Sequence, residues 1–239
     1  MMTLEQAIKQ GFETRVYESG DWAYKDADGN WHLFRDGVEL TKGVEAKYCL
    51  SFDNDDWEYE DAKGNYHLFR DGVELTKGVE AKYCWSYEHG DWYYKDADDN
   101  WHLFRDGIEL TEGVVAKNCW SYPHSDWHYK DADDNYHLFR DGIELTEGVV
   151  AKNCWSYPHS DWEYKDAKGN YHLFRDGVEL TKGVEAKDCF SHYNGDWKYE
   201  DADGNWHKFT KDERIGIKTN KAEPTTEYKT IVKTKDDEV

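Results

Sequence analysis

A chain of 239 residues with 51 Asp and Glu against 30 Lys and Arg, a formal charge of −21, is a poor match for nucleic acid or an anionic membrane, since both are bound through basic side chains. Only 38% of it is hydrophobic while 16% is aromatic, so a core must be built largely from rings. No apolar run is long enough for a membrane-spanning helix and the first residues lack the apolar stretch of a signal peptide, so the expected location is cytoplasmic or virion-associated.

The ends are close to balance, with two basic and three acidic residues in 1–20 and seven of each in 210–239, so the remaining −20 falls on 21–209. In chain order, Thr3 and Gln6 have capping-box spacing, which predicts a helix over Leu4 to Gln10 within an N-terminal cap, 1–11. Phe12 to Glu18 reads as a first strand. The pair Asp21-Trp22 then returns at Asp56-Trp57, Asp91-Trp92, Asp126-Trp127, Asp161-Trp162 and Asp196-Trp197, always 35 residues apart. A fixed period of this size marks a solenoid, propeller or array.

Within a unit, Trp22 to Phe34 predicts a hairpin around the turn Asp26-Ala27-Asp28-Gly29-Asn30, because Asp, Gly and Asn accept the backbone angles of tight turns. A second turn at Arg35-Asp36-Gly37 leads into a strand Val38 to Thr41, and after Lys42-Gly43 a longer strand, Val44 to Phe52, runs into the loop before the next Asp-Trp. Each unit thus offers four short strands. The units run about 12–43, 44–78, 79–113, 114–148, 149–183 and 184–220, the last completed by a strand at Ile215 to Thr219. The tail, 221–239, leaves the repeat, with one strand expected at Tyr228 to Val232 and disorder at its end. One unit buries too little surface to fold alone, so neighbours must supply the rest. The fold class is all-β, with a six-bladed propeller of four-stranded blades favoured and an open stack of hairpins as the alternative.

The run Gly78-Val79-Glu80-Ala81, followed by Gly90-Asp91-Trp92-Tyr93-Tyr94-Lys95-Asp96 and Asn100-Trp101, resembles the WG-repeat family of bacterial β repeats. The likeness covers 12–209, but the glycine that follows Trp in that family is replaced here by Ala23, Glu58, Tyr93, His128, Glu163 and Lys198. The resemblance implies a repeat scaffold and nothing catalytic.

No nucleophile with its base, phosphate loop or zinc ligand pair stands out, so the chain reads as a non-enzyme without a cofactor. His32, His67, His102, His137, His172 and His207 recur once per unit, which favours a ring hydrogen-bonded across the hairpin over a metal ligand. The five cysteines at 49, 84, 119, 154 and 189 occupy one repeat position, which suits buried free thiols better than a disulfide framework. The Asp-rich turns lack the later glutamate of a calcium loop and read as turn chemistry.

Variation between copies concentrates in the loop before each Asp-Trp. Its candidate partner-binding residues are Tyr17, Glu18, Phe52, Asp53, Tyr87, His89, Tyr122, His124, Tyr157, His159, His192 and Tyr193, expected to face solvent together with the residue after each Trp. The leading function is multivalent binding of a protein or carbohydrate partner, with neither nucleic acid nor membrane insertion. The alternative is a structural, self-associating component of a fibre, virion or cell surface.

Overall fold

A computed structural model describes residues 2–215. Helix α1 (Leu4–Lys9) opens the chain, held by the expected capping box, in which the Gln6 N–H donates to Thr3 Oγ1 and the Thr3 N–H to Gln6 Oε1. The first sheet is β1 (Glu13–Val16), β2 (Trp22–Lys25), β3 (Trp31–Arg35) and β4 (Val38–Glu39), antiparallel in that order. Four further sheets repeat this order and a sixth shows three strands among the described residues. The fold is all-β, six antiparallel blades in tandem.

Local chemistry fixes each blade. Asp26 Oδ1 accepts the N–H groups of Asp28 and Asn30, both at 2.9 Å, which closes the hairpin turn and sets the register Trp22↔Phe34 and Tyr24↔His32. Where the turn lacks glycine, Asp99 and Asp134 take its left-handed angle, at φ 69° and 63°. The second turn places Asp36 and Gly37 at φ 49° and 76°, the double left-handed pair of a tight β-hairpin.

The strand expected over Val44 to Phe52 is shorter, Tyr48–Ser51. Val44 instead closes a turn onto the Thr41 carbonyl at 3.2 Å. The chain then crosses between blades, and Trp31 N–H donates to Ala46 O at 2.7 Å, a bond repeated at Tyr66–Ala81, Trp101–Ala116, Tyr136–Ala151 and Tyr171–Ala186. The predicted last strand keeps only Ile215 within the described residues, packed on the core between blades five and six; the tail strand at Tyr228 to Val232 lies outside them.

Five core clusters each fill the seam between consecutive blades. One blade contributes a fully buried Leu (Leu33, Leu68, Leu103, Leu138, Leu173), and the next contributes a buried Cys and the Trp of its Asp-Trp pair. The cysteines are free and buried, as the repeat position led us to expect, and burial pushes the Cys49 thiol up to about 12. On the other face of each blade, Trp22 stacks on Phe34 at 4.4 Å and Tyr24 on His32 at 4.8 Å.

The two ends differ from the interior. Helix α1 lies against the first blade, where Ala7 is buried and Phe12 meets Tyr24 at 5.4 Å. The outer face of the sixth blade carries an exposed Lys208 at the leucine position, and among the described residues no cluster joins that blade to the first. A polar face on a terminal repeat keeps a stacked array soluble where no neighbour covers it.

Candidate functional site: an aromatic groove over the blade edges

The loop before each Asp-Trp sits on a polar network that crosses every seam. In the first blade, buried Asp21 accepts Arg35 Nη2 at 2.7 Å and Ser51 Oγ of the second blade at 2.6 Å, while Arg35 Nη1 donates to the Asp55 carbonyl at 2.6 Å. The same set is formed by Asp56, Arg70 and Ser86, by Asp91, Arg105 and Ser121, by Asp126, Arg140 and Ser156, and by Asp161, Arg175 and Ser191. The sixth blade has Thr210 in place of the arginine, and Asp196 instead accepts the Lys211 N–H at 3.1 Å.

A second brace comes from the loop itself. His89, His124 and His159 place Nε2 at 3.1, 2.9 and 2.7 Å from the serine hydroxyls of the following blade, Ser121, Ser156 and Ser191. Asn54 donates to Ser86 Oγ at 2.9 Å from the same loop position. Burial pushes His89 and His124 below the ordinary histidine value, with the neighbouring Asp carboxylates opposing it. These histidines are braces whose rings are largely enclosed.

The loop aromatics are likewise turned inward, which corrects the expectation that they face solvent. Phe52, Tyr122 and Tyr157 are buried, Tyr17 and Tyr87 half-buried, and the Tyr17 hydroxyl donates to the Cys49 carbonyl at 2.9 Å. The exposed members of the loop include Glu18, Asp53, Glu88, His89 (through its backbone, its ring being turned in), His192 and Tyr193, the last 85% accessible. Each buried loop ring meets, edge-on, a ring that sequence reading passed over, the residue after Cys in the next blade. The pairs are Phe52–Trp85 at 5.2 Å, Tyr87–Trp120 at 5.6 Å, Tyr122–Trp155 at 5.4 Å and Tyr157–Phe190 at 5.7 Å.

Those outer rings are exposed, each at the same repeat position: Trp85, Trp120, Trp155 and Phe190 are 37%, 46%, 49% and 42% accessible. They form a row, one per blade from the third to the sixth, with Leu50 at the same position in the second. Between the rings and the loops of blades two to four lies an open groove of about 390 Å³. The signal for this row was present in the alternation of the first strand, where Cys points into the seam and the next residue must point out.

The residue after Trp also proved buried in the first five blades. Glu58, Tyr93, His128 and Glu163 fill the seams, because the following blade covers the face that a single sheet would leave to water. Glu58 accepts the Cys84 thiol at 3.0 Å, and Glu163 accepts the Tyr157 hydroxyl at 2.8 Å and the Cys189 thiol at 3.2 Å. Burial raises both carboxyls to about 7 and lowers His128 to about 4.

Between 4.5, the ordinary glutamate value, and about 7 the folded chain therefore holds protons that the unfolded chain releases. The favourable contribution of these two carboxyls is complete below that window and is lost as pH rises through it. Glu163→Gln is expected to stabilise the protein by about 1–3 kcal/mol at alkaline pH and to be nearly neutral in acid. Urea midpoints across the pH range check this; a variant weaker than the parent in alkali would show that ionised Glu163 is well accommodated.

The repeated histidines are satisfied on both nitrogens. His32 Nδ1 lies 2.7 Å from Glu39 and Nε2 3.1 Å from Asp26, and His67, His102, His137 and His172 keep both partners. Among the described residues His207, in the blade without a fourth described strand, keeps only the aspartate, Asp201, at 2.7 Å. This is the hydrogen-bonded ring across the hairpin expected above.

No protein-family model and no curated protein matches the chain. Among solved structures it is similar to Kluyveromyces lactis Hsv2p, at 10% identity and a TM-score of 0.38 over 83% of this chain and 73% of that one. YCF48 bound to D1 peptide gives 10% identity and 0.35 over 82% and 80%, and the WD40 β-propeller domain of Doa1 gives 10% and 0.32 over 81% and 76%. At such identities and TM-scores the likeness carries no information about partner or chemistry.

Proposed function

We propose that the protein is a non-enzymatic scaffold that binds a protein or carbohydrate partner along the aromatic row, with several similar contacts adding to one another. The observation that carries this is the exposure of Trp85, Trp120, Trp155 and Phe190 at one position of successive blades, each held edge-on by a buried ring. Rings fixed in this way lose little freedom on binding, and exposed Trp is a residue that dominates interface energies. The network below, with its arginines and aspartates engaged, supports the rings and leaves nothing arranged as an acid–base pair at the groove.

A Trp120→Ala/Trp155→Ala variant tests it. Both rings are about half exposed, so the fold should persist. Affinity for partners found by glycan array or pull-down should fall at least about tenfold. Binding that is unaltered in the variant would sink the reading.

A second reading, a self-associating structural component, rests on the outer strands of the blades. Val38, Val73, Ile108, Ile143 and Val178 stand exposed on them, and an exposed aliphatic edge strand favours pairing between chains. Light scattering across concentration separates the two readings. A cytoplasmic or virion setting belongs to the same proposal; no helix among the described residues is long and apolar enough to cross a membrane.

A further inference from the structure

The groove over blades two to four has a chemical bias. Its exposed rings are Trp85 and Trp120, its free charges are the exposed carboxylates of Asp53 and Glu88, and among the described residues neither Lys nor Arg lines it. Neither carboxylate forms an ion pair among the described residues. His89, the one ring among the described lining residues that could carry a positive charge, is turned onto Ser121 and held towards its neutral form by burial. The polar groups that would orient sugar hydroxyls are committed elsewhere: Ser86 and Ser121 donate to Asp56 and Asp91, and Asn54 donates to Ser86 Oγ and the Tyr87 carbonyl. What remains are ring faces and acceptors, the complement of a cation.

In the sixth blade a cation of the chain itself comes within reach of the row. There the ring is Phe190, paired across the strands with Lys198, whose ammonium lies 5.7 Å from the Phe190 centroid and 4.3 Å from that of Trp206. In blades three and four the cross-strand partners are Tyr93 and His128, both buried, so the chain supplies no lysine at that position to Trp85 or Trp120.

We propose that the groove over blades two to four takes an extended protein segment bearing lysine or arginine, its cation seated against Trp85 and Trp120 beside Asp53 and Glu88. This rests on the scaffold reading and narrows its partner from protein or carbohydrate to a basic polypeptide. The charge of −21 adds long-range attraction for such a segment, while the rings and the two carboxylates set where it sits.

Fluorescence polarisation with labelled deca-arginine and deca-lysine peptides on the full chain tests it, beside labelled cello- and chito-oligosaccharides titrated in the same way. Trp120→Ala, which leaves the charge unchanged, is expected to weaken peptide binding about tenfold. Asp53→Asn/Glu88→Gln should weaken it several-fold more than Asp28→Asn/Asp98→Asn, which removes the same charge from exposed turns. Equal losses for the two double variants together with an unaltered Trp120→Ala would show a diffuse polyanion effect and overturn the proposal. Oligosaccharide binding lost with Trp120→Ala, while the peptides do not bind the parent, would also overturn it and leave the scaffold reading standing.

Discussion

Asp126→Ala is expected to lower the unfolding free energy by about 3–5 kcal/mol, because it removes one partner of a buried, doubly hydrogen-bonded ion pair and strands the other. Asp126 is 2% exposed and accepts both Nε and Nη2 of Arg140, the latter at 2.6 Å, together with the Ser156 hydroxyl of the next blade. Without it the Arg140 guanidinium keeps only the Ser160 carbonyl at 2.6 Å and a glancing contact with Ser156. Urea denaturation reads the loss. Asp196→Ala is the internal control, since the sixth blade has no arginine there, and its cost should stay below about 1 kcal/mol. Equal costs at the two positions would mean that the arginine network contributes no more than a surface ion pair.

Leu103→Lys should be at least as damaging and should cut the array in two. Leu103 is fully buried between blades three and four against Ala116, Cys119 and Trp127, and the seam offers no carboxylate among its cluster residues to pair an ammonium. The cavity alone, tested by Leu103→Ala, costs about 2–5 kcal/mol, and an unpaired buried charge adds several more. Because stacked units contact only their neighbours, a broken seam should convert one transition into two and open the 110–117 crossing to protease. A single transition with an unshifted midpoint would argue against neighbour coupling. The chain itself carries the harmless version of this change: Lys208 occupies the same strand position in the sixth blade, where its face is exposed.

Much of this was legible beforehand. The capping box, both turns and the period followed from residues whose backbone preferences are local, such as the Asp and Gly of Asp36-Gly37. The framework positions were legible because copies within one chain can be compared. The arginine at 35, 70, 105, 140 and 175 was not connected to the aspartate 14 residues before it, although its loss at Thr210 was a clue. The candidate loop was chosen as the place where copies differ, but most of its rings were assigned to solvent when they are pegs into the next blade, and the rings after Cys that stand out were missed.

The amino-acid sequence by itself determined the strands, the turns and the alternation, since each depends on a few neighbouring residues and on the period-two geometry of a strand. Tertiary structure alone decided which face of each strand meets water, because between successive blades both faces of a sheet are covered wherever a neighbour exists. The position after Trp shows it: Glu163 is buried by the sixth blade, whereas Lys198, its equivalent there, has no blade packed over it among the described residues and lays its ammonium on Trp206. The aromatic groove follows from the same cause, for it exists only where the loop of one blade props the outer ring of the next.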